Sequence, residues 1–174
     1  MSTLIVDTVQ TDTIKDEAGA FEHARLVQVV NVIVSTIATG TTVMPIDNTI
    51  PQNVDGNEFM TLAITPTSAT NKLFIEVIFQ GEHSVDQTMT GVAIFQDSTA
   101  GALSATAMVA GATANRPLTI PLNHYMAAGT TSATTFKVRV GSSSSGTQRI
   151  NSANSSQVFG GVCGSSITIS EIRV

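Results

Sequence analysis

The side chains that could do chemistry in this sequence are few and scattered. It has three histidines, His23, His83 and His124, and a single cysteine, Cys163. Zinc ligands usually occur in closely spaced cysteine and histidine pairs, and these four residues are far apart in the chain. The sequence also has no glycine-rich phosphate loop of the G-x-x-x-x-G-K type. It therefore predicts no metal site and no cofactor.

One acidic stretch, residues 47–56 (DNTIPQNVDG), could supply oxygen ligands for calcium through Asp47 and Asp55. An EF-hand loop, however, alternates its acidic ligands and has glycine at its sixth position, and this stretch does not. The alternative is a turn that the same side chains stabilise by hydrogen bonds. Both interpretations stay open at this point.

Nucleophiles and paired carboxylates are not arranged as hydrolases need them. The run 141–146 (GSSSSG) lacks the G-x-S-x-G spacing of a nucleophile elbow. Cys163 has no basic neighbour that would activate its thiol, so we predict a buried cysteine in a strand, with a reactive thiol as the alternative. A glycosidase needs two carboxylates brought together, and the candidates are scattered: Glu58, Glu76, Glu82, Asp86 and Asp97. We predict that the protein is not an enzyme.

Two polar stretches are candidates for contact with a partner. The stretch 81–87 (GEHSVDQ) predicts an exposed loop, whose contact residues would be Glu82, His83, Ser84, Asp86 and Gln87. The stretch 122–129 (LNHYMAAG) places His124 and Tyr125 near the end of a strand, where an aromatic ring and an imidazole could contact a sugar or a protein. The alternative is that Tyr125 lies at the edge of the core with its hydroxyl hydrogen-bonded.

The charge balance excludes two classes of partner. The net charge is −5, and only three lysines are present, Lys15, Lys72 and Lys137. Binding to nucleic acid depends on a clustered basic face, and a peripheral membrane site depends on a polybasic patch. The apolar run at residues 4–6 is far shorter than the roughly 20 residues of a membrane span. We predict neither nucleic-acid binding nor membrane insertion.

The patterning predicts an all-β protein. Charged residues make up 12% of the chain, about half the usual quarter, and threonine and serine replace them. Residues 26–34 (LVQVVNVIV) are dense in β-branched side chains, and residues 134–140 (TTFKVRV) alternate between apolar and polar. About eight or nine such strands follow residue 25, which favours a β-sandwich or barrel.

Two strands depart from simple alternation. In residues 72–80 (KLFIEVIFQ), Phe74 and Ile78 interrupt the polar face, which predicts that the strand is covered on both faces. In the last strand the alternation slips between Ile169 and Ile172. A slip of this kind predicts a β-bulge near Ser170 and Glu171.

The first 20 residues differ from the rest and end in a linker-like stretch, KDEAGA. Strand-like apolar side chains precede that stretch: Leu4, Ile5, Val6, Val9 and Ile14. Because an exposed strand edge is a natural docking element, these residues predict an attachment arm. We therefore divide the chain into an arm at 1–20 and a β domain at 21–174.

The segment STLIVDTVQTDTI resembles the N-terminal segment of structural proteins from tailed bacteriophages. Four further stretches resemble the C-terminal domain of such fibre-like proteins: IDNTIPQNVDGNEFMTLAITPTSATNKLFIEV, VAIFQDSTAGAL, HYMAAGTTSATTFKVRVG and SSITISEI. That domain is similar to the trimeric jelly roll of the tumour-necrosis-factor and complement superfold. The resemblance implies a jelly-roll homotrimer in the virion, with the arm bound to a sister chain or to another virion protein.

The resemblance implies one of two functions. The first is a tail fibre or receptor-binding protein that mediates adsorption to a glycan or protein of the host surface, where many weak contacts add up by avidity. The alternative is a capsid decoration protein or head fibre that stabilises or coats the shell. The matching stretches are strand and turn patterns and imply no set of functional residues.

Overall fold

A computed structural model describes residues 15–16, 19–20, 25–109 and 113–174. Its strands are β1 (Lys15–Asp16), β2 (Gly19–Ala20), β3 (Arg25–Val34), β4 (Ala38–Gly40), β5 (Asn57–Ile64), β6 (Lys72–His83), β7 (Met89–Gln96), β8 (Ser104–Val109), β9 (Leu118–Ala127), β10 (Thr134–Ser142), β11 (Gln148–Ile150), β12 (Ser152–Ala153), β13 (Ser156–Gln157) and β14 (Ser165–Arg173). One 3-10 turn lies at Phe159–Gly161.

The eight longest strands form two antiparallel sheets that pack face to face. The first sheet has the order β3-β14-β6-β9, and the second has the order β5-β10-β7-β8. The short strands β11 and β4 continue the first sheet beside the end of β6. Apart from β7 and β8, which follow each other in the chain, neighbours in each sheet are not consecutive in the chain, which is typical of a jelly roll. The predicted all-β jelly-roll sandwich is confirmed.

The core lies between the sheets because strand alternation sends one apolar set inward. In β6 the buried side chains are Leu73, Ile75, Val77 and Phe79. Phe136, Val138 and Val140 of β10 face them from the second sheet, and all three are fully buried.

The pairing of β3 with β14 does shift between Glu171 and Ile172, but the extra residue is Val27 of β3, because Glu171 pairs with Gln28 and Ile172 with Leu26. β14 pairs with β6 through Glu171 and Ile172 without a shift, so the prediction of a bulge in β14 itself is wrong.

Glu171 lies at an inward, fully buried position. Its carboxylate accepts hydrogen bonds from Gln28 Nε2 (2.6 Å), Asn71 Nδ2 (2.6 Å), and the amide and hydroxyl of Thr67 (both 2.8 Å). Burial alone would raise its pKa, but the bonds from Gln28, Asn71 and Thr67 lower it to about 2.

The outer face of the second sheet is covered by the chain itself. The segment 41–56 crosses it, and Met44 packs against Ala93 and Phe95 in a small second core. Arg139 fixes the end of this segment by donating to the carbonyl oxygens of Asp55 (2.8 Å) and Gly56 (2.7 Å). We call residues 41–56 the cover segment.

Candidate interaction surface

The outer face of the first sheet has no comparable cover within the described residues. The pairing register identifies its outward side chains, because directly paired residues share a face. Ile78, for example, pairs with Ser166 and with Pro121. The set consists of Leu26, Val29, Asn31 and Ile33 of β3, Ser166, Thr168, Ser170 and Ile172 of β14, Lys72, Phe74, Glu76 and Ile78 of β6, and Pro121, Asn123, Tyr125 and Ala127 of β9. We call this set the uncovered face.

The uncovered face is apolar and nearly free of charge. Leu26 is 59% exposed, Ile33 66%, Tyr125 54% and Ile78 38%. The charged members are Lys72 and Glu76 alone, with serine and threonine filling the β14 row. Depletion of charge together with aromatic side chains is typical of the core of a protein interface.

An aromatic pair lies within this face. The rings of Phe74 and Tyr125 are 6.4 Å apart between centroids and tilted by 56°, an arrangement that favours aromatic contact. The sequence predicted that β6 is covered on both faces. Within the described chain its inward face is covered, while Phe74 stays half-buried and Ile78 exposed on the outward face.

The prediction of an exposed contact loop at 81–87 is wrong for Glu82 and His83. Glu82 and His83 belong to β6 and are buried, with exposed fractions of 0% and 2%. The strand continues this far because β11 pairs with it, Arg149 opposite Glu82. Ser84 is half-buried, and Asp86 and Gln87 are exposed, so the accessible part of the predicted loop begins at Ser84.

Glu82 links three pieces of the fold. Its Oε1 accepts hydrogen bonds from Ser152 Oγ (2.9 Å) and from the amide of Ser155 (2.8 Å). Arg149 Nη1 lies 3.6 Å from the same oxygen and also donates to Asn115 Oδ1 (3.1 Å). Glu82 thereby joins β6 to β11 and to the β12–β13 hairpin. Its role is structural, in contrast to the surface contact that its polar neighbours in the sequence indicated.

The two described histidines are poorly placed for surface chemistry. Burial lowers the pKa of His83, whose Nδ1 accepts a hydrogen bond from the amide of Val85 (3.2 Å), so the ring is neutral at pH 7. His124 is half-buried on the core side of β9, and burial lowers its pKa too. Tyr125, the next residue, points the other way onto the uncovered face. The pair is therefore split between the two faces of one strand.

Cys163 lies outside any strand and is half-buried, so the prediction of a buried strand cysteine is wrong. It follows the 3-10 turn, and its thiol donates to Gln80 Oε1 at 3.4 Å. A small cavity of about 200 Å³ lies beside it, lined also by Gly81, Ser152 and Phe159. No carboxylate, histidine or cationic side chain is among the residues that line this cavity.

The segment 47–56 is a hydrogen-bonded turn, which favours the second of the two interpretations left open above. Asp47 accepts from the amide and hydroxyl of Thr49, and these bonds lower its pKa. Asp55 accepts from the amide of Gln52 at 2.7 Å. Across residues 25–109 and 113–174, no three His, Cys, Asp or Glu side chains come together as metal ligands would.

The predicted arm falls mostly outside the described residues, including Leu4, Ile5, Val6, Val9 and Ile14. The backbone of residues 15–16 and 19–20 is described and forms a short antiparallel hairpin, β1–β2. In the described part of the chain, no helix has the length and apolar character needed to span a membrane.

No model of a known protein family matches the chain, and no curated protein matches it in sequence. Among solved structures, the sugar-binding C-terminal domain of EclA is 14% identical, with a TM-score of 0.35, over 93% of this chain and 89% of that one. The VP2 subviral particle of infectious bursal disease virus is 13% identical, with a TM-score of 0.41, over 92% of this chain and 44% of that one.

Dimeric latent PorU from Porphyromonas gingivalis is 7% identical, with a TM-score of 0.42, over 92% of this chain and 14% of that one. The chain thus spans less than half of the VP2 and PorU chains. All three TM-scores lie below 0.5, so these structures assign neither a family nor an activity to the protein.

Proposed function

We propose that the protein is a structural component of a bacteriophage virion that assembles as a homotrimer and mediates adsorption to the host surface. The observation that carries the proposal is the uncovered face of the first sheet. It is apolar and charge-poor, as the core of an interface is. The virion setting is supported by the sequence resemblance described above.

The dimensions of the uncovered face suit association between copies. Strands of nine or more residues are about 30 Å long, and four strands span about 19 Å, which gives roughly 600 Å² of projected area. A standard protein interface takes about 800 Å² from each partner, so this face supplies most of one. Other copies of the chain are the partner to which we commit.

The charges on the face are compatible with self-association. Lys72 and Glu76 have opposite signs and lie on the same strand, so a lysine of one copy can face a glutamate of another. Like-charge contact, which costs several kcal/mol in an interface, is avoided. Three copies around one axis bury this face and leave the loops at the sandwich ends outside.

We assign adsorption to the host surface to the loops at the ends of the sandwich. Ser84, Asp86 and Gln87 follow the end of β6 and lie outside the uncovered face, whereas Tyr125 belongs to that face and is assigned to the contact between copies. We expect each contact with a host glycan or protein to be weak by itself, and the trimer and the particle multiply it by avidity. The arm at 1–20 is assigned to attachment, through another virion protein.

The experiment is competition for adsorption. Host cells preincubated with the purified protein should bind the parent phage more slowly, in a concentration-dependent way. The variant Ile78→Glu, which places a charge in the uncovered face, should compete at least tenfold less well because it loses avidity. The control is Val54→Glu, at a 71% exposed position of the cover segment, which should compete as the native protein does.

Two results would oppose the proposal in different ways. A trimer that never slows adsorption would contradict the adsorption role and favour capsid decoration. If the native protein is a monomer and still slows phage adsorption as strongly as a trimer should, the proposed homotrimer would be contradicted.

A further inference from the structure

We propose that the cavity beside Cys163 binds one ring of a neutral sugar, with the side chain of Phe159 as the surface on which the sugar stacks. The cavity lies between the ends of β6 and β9 on one side and the segment 152–163 on the other. The proposal deepens the adsorption role described above and rests on that role for the source of the sugar, the host surface. Binding of the sugar in solution does not depend on it.

The cavity lies at the end of the sandwich where the loop that begins at Ser84 also lies. Gln80 of β6 and Thr119 of β9 both line it, and these two residues pair directly. They form the next outward row after Ile78 and Pro121, because strand residues two positions apart point to the same face. The cavity is therefore just beyond the last row of the uncovered face and close to the loop to which adsorption is assigned.

The aromatic side of the cavity is presented to solvent by its backbone. Phe159 lines the cavity and is nevertheless 79% exposed, so its ring lies at the rim. Its φ of +52° falls in the left-handed region that residues other than glycine seldom adopt. The amide of Val162 donates to the Phe159 carbonyl oxygen at 3.2 Å and closes the 3-10 turn. Strained backbone of this kind is concentrated at binding sites, and here it keeps a large apolar ring open to a ligand.

The polar lining offers both donors and acceptors. Ser152 Oγ donates to Glu82 Oε1 at 2.9 Å, so its lone pairs are available to accept. Gln80 Oε1 accepts from the Cys163 thiol at 3.4 Å, and the described residues leave its Nε2 without an acceptor and not fully buried. Thr119 is exposed, and its hydroxyl has no partner in the described part of the chain. A ligand that both donates and accepts can use all three side chains.

This combination selects a neutral sugar among small ligands. A sugar ring has hydroxyl groups that donate and accept, and it has an apolar C–H face that packs on the electron-rich face of an aromatic ring. No charged side chain lines the cavity, which disfavours an ion, because a desolvated charge needs a partner. A purely apolar ligand would leave Gln80 and Ser152 without hydrogen bonds that water supplies.

The size of the cavity limits the ligand to one ring. Its volume is about 200 Å³, below the roughly 300 Å³ at which pockets for drug-sized ligands begin. The other rings of a glycan then lie outside the cavity. We expect a dissociation constant in the millimolar range for one site, which several sites per particle would strengthen by avidity.

Saturation-transfer-difference NMR on the full-length protein tests the site. The probes are the methyl pyranosides of glucose, galactose, mannose and N-acetylglucosamine. At least one should receive saturation, most strongly at the ring C–H protons that lie against Phe159. Phe159→Ala should weaken binding of that probe by at least about tenfold. Thr119→Val keeps the shape of the side chain and removes its hydroxyl, and it should weaken binding by about threefold.

The matched control is Val162→Ala. Val162 follows the same 3-10 turn and is 85% exposed, but it does not line the cavity, so this variant should bind the probe as the native protein does. Phe159, Thr119 and Val162 are all exposed, and the three variants should therefore fold, which circular dichroism checks.

Three results would overturn the sugar site. The first is no saturation transfer to any of the four probes. The second is binding that both Phe159→Ala and Thr119→Val retain, because the sugar would then bind elsewhere. The third is a Phe159→Ala variant that sediments as a smaller oligomer than the native protein, since the cavity would then belong to the contact between copies.

The adsorption assay separates this site from the proposed function. A native protein that binds a probe through Phe159 but never slows phage adsorption would support the sugar site and contradict the adsorption role. A native protein that slows adsorption but binds none of the probes would overturn the sugar site and leave adsorption to the loop that begins at Ser84.

Discussion

At the scale of residues, two buried carboxylates stabilise opposite ends of the first sheet. Glu171 holds the turn at 67–71 by accepting three hydrogen bonds from Thr67 and Asn71, and it also accepts one from Gln28 of β3. Glu82 fastens β11 and the β12–β13 hairpin through Ser152, Ser155 and Arg149. Since both side chains are fully buried, each depends on its partners for compensation of the desolvation cost.

Glu171 should make the protein acid-sensitive. Its pKa is about 2 in the folded protein against an ordinary 4.5, so the unfolded chain takes up the proton first. The stabilisation is complete above about pH 5 and is lost as the pH falls toward 2, on the order of 3 kcal/mol. Urea unfolding between pH 7 and pH 2 should show this decline. Glu171→Gln should lower stability at pH 7 by roughly 2–4 kcal/mol and flatten the decline.

Glu58→Gln is the matched control, because Glu58 is exposed and its ion pairs with Lys137 and Arg139 are at the surface. It should change stability by less than about 1 kcal/mol. A Glu171→Gln variant with the same pH profile as the native protein would contradict this account of Glu171.

Arg149 should matter mainly through Glu82. Arg149→Ala leaves a buried carboxylate without its cation, which should cost about 3 kcal/mol. In the double variant Glu82→Gln/Arg149→Ala the loss should be smaller than the sum of the single losses, because no unpaired charge remains. Denaturant unfolding of the four proteins measures the coupling. Strict additivity would show that the two side chains do not act as a pair.

The sequence pattern drew attention to Glu171 but did not indicate that Glu82 is buried. The apparent slip in alternation around Ser170 drew attention to Glu171, but its cause is a polar residue at an inward position of a regular strand, and the extra residue lies opposite it in β3. Glu82 looked like part of a loop, because its neighbours in the sequence are polar. Its burial depends on pairing with Arg149, 67 positions later in the chain, and local patterns carry no information about such a partner.

At the scale of elements, the chain covers the outer face of the second sheet and, within the described residues, leaves that of the first sheet uncovered. The cover segment packs Met44 onto the second sheet and ends at Gly56, whose φ is +63°. The first sheet receives no such segment within the described residues. Alternation predicted the strands and the sandwich but not which strands share a sheet, and residues 41–56 have no periodic pattern that would indicate which sheet they cross.

Gly56→Ala should loosen the cover segment. A Cβ there would lie 2.7 Å from the carbonyl oxygen of Val140, in addition to the strain of a positive φ. The matched control is Gly129→Ala, since Gly129 has a φ of +68° and no atom within 4 Å of an added Cβ. Gly56→Ala should lose about 1–3 kcal/mol more than the control and should be cleaved faster within 41–56 by a protease. If Gly56→Ala and Gly129→Ala lose the same stability, the contact between a Cβ at position 56 and the carbonyl oxygen of Val140 does not matter.

At the scale of the whole molecule, we propose that the uncovered face is the contact between copies of the chain. The native protein should sediment with a mass near three times 18.1 kDa. Ile78→Glu should give a folded monomer, because an unpaired charge in an interface core costs several kcal/mol per copy. Analytical ultracentrifugation measures the mass, and circular dichroism checks the fold. Val54→Glu should remain a trimer, and a trimeric Ile78→Glu would show that the contact lies elsewhere.

The most direct test of the account is the position of this protein in the intact particle, determined by cryo-electron microscopy. We predict threefold density at the tail or baseplate, with the uncovered faces around the axis and the loop that begins at Ser84 directed outward. Density on the head lattice, with the N-terminal segment against the capsid, would contradict adsorption and assign the protein to decoration of the shell.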